Sequence, residues 1–166
     1  MKIRLAGIIE NSISNGEGIR KVIFAQGCKH HCKGCFNPST HDFNGGYECD
    51  TDKIVERINN DYMIDGVTFS GGDPFEQAEA FAEIAKKINP ELDIWCYTGY
   101  TLQELLDKAN EKPEWVDLLT SIDVLVDDRF EEDKKDRNLK FKGSSNQNIV
   151  QLKLLKLEVN VNARKK

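Results

Sequence analysis

Short apolar strands alternate with helix-patterned segments along this sequence, and this alternation limits the folds that it can adopt. Segments rich in β-branched and aromatic residues predict four strands, at Lys21–Ala25, Gly66–Phe69, Asp93–Tyr97 and Ile122–Val126, with a weaker fifth near Asn148–Leu152. Apolar residues at three- and four-residue spacing predict helices around 54–58, 81–88 and 102–109. Because parallel neighbours can be joined only by a crossover connection, the alternation predicts an α/β fold with a mostly parallel sheet and crossover helices. An open sheet and a partial barrel fit the pattern equally well.

Chemically unusual loops follow all four of the stronger strands. In chain order these loops read GCKHHCKGC, SGGDP, TGYT and DDRF. The carboxyl ends of parallel strands meet at one edge of a sheet, and ligands of such folds gather at that edge. We therefore expect the four loops to form one site.

The length, charge and hydropathy of the chain limit the number of its domains, its partners and its location. With 166 residues and no linker or repeat, the chain is predicted to be a single domain over 1–166, with a short flexible tail at about 158–166. Its net charge of −5 argues against nucleic acid as a partner. No apolar run approaches the roughly 20 residues that cross a bilayer, and the N-terminus has no basic region or cleavage site typical of a signal peptide. These observations predict a cytoplasmic protein without a membrane partner.

Three of the five cysteines form a C-x3-C-x2-C pattern, at Cys28, Cys32 and Cys35. An odd number of cysteines without an export signal favours a metal or redox site over a disulfide framework. The same spacing would also place three small apolar residues on one helix face. Gly27 and Gly34 disfavour a continuous helix, and the lysines and histidines between the cysteines are poor core residues. A metal ion or an iron–sulphur cluster is therefore the better interpretation.

The spacing alone does not choose between zinc and an iron–sulphur cluster. A histidine, His30, His31 or His41, could complete a four-ligand zinc site beside three cysteines. A cubane held by only three cysteines instead leaves one iron open to a small molecule. The remaining cysteines, Cys49 and Cys96, have no neighbouring cysteine and are not predicted to be ligands.

The SGGDP loop has a structural explanation and a functional one. Asp73 is predicted to cap a helix that begins at Pro74, with Glu76 closing a capping box. Gly71 and Gly72 would also allow the backbone to approach a ligand, because they have no Cβ atom.

The TGYT loop predicts a strand-to-helix turn. Thr101 and Glu104 have the spacing of a capping box. Thr98 and Tyr100 are weaker candidates for lining a ligand pocket. Gly143–Gln147 (GSSNQ) is predicted to be a polar loop of unassigned role.

Together these motifs resemble the radical S-adenosylmethionine (radical SAM) superfamily, whose signature is C-x3-C-x2-C followed by a Gly-Gly segment. The match narrows to the family of activating proteins of anaerobic ribonucleoside-triphosphate reductases and extends from about Asn15 to Gln147. The segments that carry it are NGEGIRKVIFAQGCKHHCKGCFNPST, SGGDP, YTGYT and GSSNQ. The sequence departs from the family pattern at Asp128, where a glycine is expected, and at Asn148, where a basic residue is expected.

The resemblance implies a partial, incomplete TIM-like barrel and a [4Fe-4S] cluster bound by the three cysteines of the C-x3-C-x2-C pattern. It implies that S-adenosyl-L-methionine (SAM) binds the open iron, with Gly71 and Gly72 holding its amino group and Asp73 shaping the turn. Thr98 would line the same pocket. No catalytic residue beyond the cluster and SAM is implied.

By the same resemblance, reductive cleavage of SAM would yield a 5′-deoxyadenosyl radical that generates a glycyl radical on a partner. The partner implied is the large subunit of the anaerobic reductase, with an external one-electron donor such as flavodoxin. The alternatives are an activase of another glycyl-radical enzyme, a radical SAM enzyme acting on a small metabolite, and a noncatalytic zinc-binding module.

Overall fold

A computed structural model describes residues 1–156; the predicted tail at 158–166 lies outside the described residues. The strands are β1 (Lys2–Ser12), β2 (Arg20–Ala25), β3 (Tyr47–Asp50), β4 (Gly66–Gly71), β5 (Asp93–Tyr97), β6 (Val124–Asp127) and β7 (Asn148–Gln151). The α-helices are α1 (Thr51–Asn59), α2 (Ala78–Lys87), α3 (Leu102–Asp107) and α4 (Pro113–Ser121), and a further helical segment covers 152–156. Short 3-10 turns occupy Pro38–Thr40, Pro74–Gln77 and Glu132–Lys134.

The seven strands form one mixed sheet in the order β3-β1-β2-β4-β5-β6-β7. The four central strands, β2, β4, β5 and β6, are parallel, which confirms the α/β class and the mostly parallel core of the sheet. Antiparallel strands flank them, because β1 pairs with β2 and β3 while β7 pairs with β6. The edges β3 and β7 are not paired with each other, so the sheet of the described residues is open and does not close into a barrel.

The predicted strands are found close to their predicted bounds. The strand at Asp93–Tyr97 is confirmed at both ends, and the other three stronger predictions shift by one or two residues. The capping box of Thr101 and Glu104 is also confirmed. The strands β1 and β3 and the helix α4 were not predicted from the sequence.

The core lies mainly between the sheet and its helices. Phe69 on β4 packs against Phe81 on α2, with ring centroids 4.8 Å apart, and both side chains are fully buried. Burial of each such ring stabilises the fold by about 1.5–3 kcal/mol. The opposite face of the sheet has a smaller cluster of Trp95, Val124 and Val126, against which Phe141 packs. No helix within residues 1–156 has the length and apolar character to cross a membrane.

A buried arginine joins the central strands at the edge opposite their carboxyl ends. Arg20, at the start of β2, is fully buried. Its guanidinium donates to Asp93 Oδ1, to Thr68 Oγ1 and to the Val67 and Glu17 carbonyl oxygens, each at 2.8 Å. This pairing satisfies a charge that would otherwise be costly to bury. The carboxyl-terminal ends of the same strands are left to build a site.

Candidate functional site

The loops that follow β2, β4, β5 and β6 line one cavity of about 320 Å³. The expected convergence of these four loops is thus found in the structure. The site residues predicted from the sequence that line this cavity are Cys28, Cys32, Cys35, Gly71, Gly72 and Thr98. Asp73 lies just behind the cavity wall and is fully buried.

The loop that carries the three cysteines, residues 26–41, is not an α-helix. Its second residue, Gly27, has a φ of +105° that is favourable only for glycine, and the Gly27 N–H donates to the Thr40 carbonyl oxygen at 2.7 Å. The chain thereby returns on itself around the cysteines. All three thiols are free; Cys28 is buried, whereas Cys32 and Cys35 are partly exposed.

Burial and nearby backbone N–H groups both affect the cysteine sulphurs. The Asn37 N–H donates to Cys35 Sγ at 3.4 Å. Burial raises the pKa of Cys28 to about 11, although the His30 N–H opposes this shift. Burial also raises the pKa of Cys32, against the opposing effect of the Phe130 N–H. The cluster-free protein therefore holds protonated thiols at these two positions, and binding of a metal group must release their protons.

The donor set fits an iron–sulphur cluster, because all three cysteines of the pattern line one cavity. Within residues 1–156, no three His, Cys, Asp or Glu side chains gather closely enough around one point to hold one ion. A cubane spreads its three thiolate ligands over three corners, so it needs three cysteines around one cavity rather than around one atom. The histidine nearest to the glycine loop, His30, already bonds to Asp73 at 2.7 Å. The rings of His31 and His41 pack against each other at 5.1 Å.

The glycine loop approaches the cysteine loop through its backbone. Gly71 has φ of +98°, and a Cβ atom there would lie 2.5 Å from the Ala25 nitrogen. The Gly72 N–H donates to the Ala25 carbonyl oxygen at 2.8 Å, and the Asp73 N–H donates to the Gly27 carbonyl oxygen at 2.9 Å. Glycine is therefore required by the fold itself at Gly71.

Asp73 caps the turn that follows the glycines, as predicted. Its carboxylate accepts from the Phe75 N–H at 3.0 Å at the start of the turn Pro74–Gln77. The predicted capping box with Glu76 is wrong, because the Asp73 N–H is already bonded to Gly27. The Glu76 carboxylate instead accepts from the Tyr100 hydroxyl and pairs with Lys29 at 3.1 Å.

The loop Gly143–Gln147 braces the loop after β6. Asn146 Nδ2 donates to the Arg129 carbonyl oxygen at 2.7 Å, and Gln147 Nε2 donates to the Asp128 carbonyl oxygen at 3.2 Å. Asp128 has φ of +78°, which is the left-handed conformation that a glycine would adopt easily. The glycine expected from the resemblance is thus replaced, and a side-chain contact from Asn146 Nδ2 to Asp128 Oδ2 at 3.2 Å accompanies the substitution.

Asn15, from the loop between β1 and β2, lines the cavity, as expected from the resemblance, which implies that the turn Asn15–Gly18 lies near the mouth of the site. Three aromatic residues of the cavity, Phe36, Tyr97 and Phe130, were not predicted from the sequence. Phe36 is 61% exposed at the mouth and packs against Phe130 with ring centroids 4.8 Å apart. Their only signal in the sequence is their place beside the predicted motifs.

A comparison with protein families places the chain in the class of proteins with a 4Fe-4S cluster domain. Residues 14–150 match a protein-family model described as a 4Fe-4S single cluster domain. The match includes all three cysteines of the C-x3-C-x2-C pattern and supports an iron–sulphur cluster.

The curated relatives narrow this class. An anaerobic ribonucleoside-triphosphate reductase-activating protein from Haemophilus influenzae is 39% identical over 152 residues, covering 86% of this chain and 94% of the relative. One from Escherichia coli strain K12 is 37% identical, with 85% and 94% covered, and one from Enterobacteria phage T4 is 32% identical, with 81% and 85% covered. The chain belongs to the family of anaerobic ribonucleoside-triphosphate reductase-activating proteins.

Proposed function

We propose that this protein is a radical SAM activase that generates the glycyl radical of an anaerobic ribonucleoside-triphosphate reductase. The observation that carries the proposal is that Cys28, Cys32 and Cys35 line the same cavity as Gly71 and Gly72. The family supports an activating role, since the relatives are named as reductase-activating proteins. The open sheet, with its four parallel central strands, is compatible with the incomplete barrel that the resemblance implies.

The three thiolates would hold a [4Fe-4S] cluster and leave one of its irons for SAM. When bound, the cluster supplies the electron that cleaves SAM into methionine and a 5′-deoxyadenosyl radical. The Gly71–Gly72 backbone would hold the amino group of SAM, because no Cβ atom keeps a ligand away from it. Thr98 is 5% exposed and lines the same cavity, which fits a supporting role in the SAM pocket.

The chain's remaining contribution is to orient the bound groups and to exclude water from them. The wall formed by Gly143–Gln147 and the loop after β6 closes one side of the cavity. Phe36 is exposed at its mouth and supplies apolar surface for a partner. The partner we propose is the large subunit of the reductase, and the electron would come from an external one-electron donor such as flavodoxin.

Anaerobic reconstitution followed by a SAM cleavage assay, with and without the reductase large subunit, tests this function. We expect about four irons per chain, methionine and 5′-deoxyadenosine as products, and a glycyl radical signal on the subunit in electron paramagnetic resonance (EPR). Colourless protein with one tightly bound zinc and no SAM cleavage would refute the proposal in favour of a zinc-binding module. Cleavage of SAM without a glycyl radical on this subunit, but with one on another candidate enzyme, would refute the assignment of the partner.

A further inference from the structure

One buried side-chain contact joins the cysteine loop to the glycine loop. His30 Nε2–H donates to Asp73 Oδ2 at 2.7 Å, and the two side chains are only 6% and 0% exposed. A hydrogen bond to an ionised carboxylate is stronger than one between neutral groups, and burial strengthens it further. The two residues are 43 positions apart in the sequence, so the contact fixes tertiary structure rather than a local turn.

The Asp73 carboxylate also holds the end of β5. It accepts from Thr98 Oγ1 at 2.9 Å and from the Gly99 N–H at 3.0 Å, in addition to the Phe75 N–H of its own turn. Both of its oxygens therefore accept hydrogen bonds from the protein. The Asp73 carboxylate therefore holds the end of β5 and the turn after the glycines in fixed positions beside the cavity.

The imidazole of His30 is confined on several sides. A Cβ atom on Gly99 would lie 2.3 Å from His30 Cδ2, so the ring occupies space that only glycine leaves free. The Tyr100 ring packs edge-on at 4.5 Å between centroids, with an interplanar angle of 75°. His30 also lies only two residues after Cys28 on the same loop. Movement of this imidazole would therefore be transmitted to Cys28 through a short stretch of backbone.

We propose that His30 is a positioning residue for SAM binding, because its bond to Asp73 sets the distance between Cys28 and the Gly71–Gly72 pair. The inference rests on the proposed function, since it assumes that Cys28 helps to hold the cluster and that the Gly71–Gly72 pair holds the amino group of SAM. It assigns no chemistry to the imidazole itself. The loss expected on breaking the bond is a loss of SAM affinity with the cluster retained.

Two substitutions separate the hydrogen bond from the volume of the ring. His30→Leu keeps an apolar side chain of moderate size but removes the donor, whereas His30→Gln keeps an N–H donor near the position of Nε2. Lys33→Gln is the matched control, because Lys33 lies on the same loop with its side chain 89% exposed. For each anaerobically reconstituted protein, we would measure iron content, the EPR spectrum of the reduced cluster without SAM, and the SAM concentration that half-converts that spectrum.

For His30→Leu we expect unchanged iron content and an unchanged spectrum without SAM, but SAM affinity weakened about tenfold or more. His30→Gln should recover most of the affinity, and Lys33→Gln should match the wild type. Wild-type SAM affinity in His30→Leu would overturn the inference. Loss of the cluster in both His30 variants would also overturn it, because the role would then be in folding of the loop.

A double-mutant cycle tests whether His30 acts through Asp73. Asp73→Asn replaces one carboxylate oxygen with an amide nitrogen that cannot accept from His30 or Thr98 in the same way. If the two residues act as one unit, His30→Leu should weaken SAM binding much less in the Asp73→Asn background than in the wild type. Fully additive effects would overturn the inference. Failure of the wild-type protein to bind SAM at all would instead refute the proposed function, so the two failures are distinguishable.

Discussion

Gly72 lies directly against Gly27: a Cβ atom on Gly72 would be 2.3 Å from the Gly27 carbonyl oxygen. Gly27 immediately precedes the first cysteine of the candidate cluster, and Gly72 belongs to the glycine pair proposed to hold SAM. The two loops of the site therefore meet backbone to backbone. No flexible side chain is present at this contact that could move aside for a methyl group.

The first prediction concerns this contact. Gly72→Ala should push the glycine loop away from the cysteine loop and weaken SAM binding by about tenfold to a hundredfold, because small misplacements of a positioned group have effects of this size. The measurement is the SAM-dependent change in the EPR spectrum of the reduced cluster. Gly7→Ala is the control, since a Cβ atom at Gly7 on β1 would meet nothing within 4 Å. Equal SAM affinity in the two variants would contradict the prediction.

The second prediction concerns the cluster ligands. Replacement of Cys28, Cys32 or Cys35 by Ala should each lower the iron content well below the about four irons per chain of a complete cubane and abolish SAM cleavage. Iron analysis and the visible absorbance of anaerobically reconstituted protein measure this. Cys49→Ser should retain full iron content, because Cys49 lies on β3, away from the cavity-lining residues. If one of these three variants kept an intact cluster, the cysteine replaced in it would not be a ligand.

The third prediction concerns Arg20, the buried arginine at the amino-terminal ends of the central strands. Arg20→Gln should lower the free energy of unfolding by about 3 kcal/mol, the low end of the cost of breaking a buried ion pair, because the partner carboxylate of Asp93 is 45% exposed. Urea unfolding of the reconstituted protein measures the change. The exposed Lys53→Gln should have almost no effect. A loss no larger than that of this control would show that the arginine network contributes nothing to stability.

The fourth prediction is a pH dependence. Asp61 accepts a hydrogen bond from the buried Lys21 at 2.8 Å, and this bond lowers the pKa of Asp61 below its ordinary value. Because the folded-state pKa is the lower one, the stabilisation is fully present above the ordinary aspartate pKa of about 3.9 and is lost as the pH falls through the folded-state pKa.

Asp61→Asn should therefore reduce the free energy of unfolding at neutral pH by about 1.5–3 kcal/mol, with the difference from wild type shrinking in acid. Denaturant unfolding at a series of pH values measures this difference. Asp52→Asn is the comparison, since Asp52 pairs with Lys87 on the surface with its side chain 69% exposed, and its effect should be smaller. A difference between Asp61→Asn and wild type that stayed constant with pH would contradict the linkage.

Much of the architecture could be predicted because its signals are local. The strands β2, β4, β5 and β6 are short apolar runs buried within the sheet, and burial on both faces makes such runs conspicuous. The strand β3 was missed because Tyr47 and Glu48 are exposed and leave no apolar pattern. The strand β1 was missed because the alternation of Lys2–Leu5 breaks at Ala6 and Gly7, where the register of the strand also shifts. Whether the sheet stays open or closes into a barrel depends on which distant strands pair, and no local pattern specifies that pairing.

The chemical groups of the site can be identified from local patterns: three cysteines at close spacing and two adjacent glycines after a strand are recognisable without any distant contact. The positions of these groups relative to one another are known only from the folded chain. The bond between His30 and Asp73 and the bracing of the loop after β6 by Asn146 each join residues far apart in the chain. Spacing along a chain constrains only neighbours, whereas a contact between remote residues depends on how the intervening strands and helices pack.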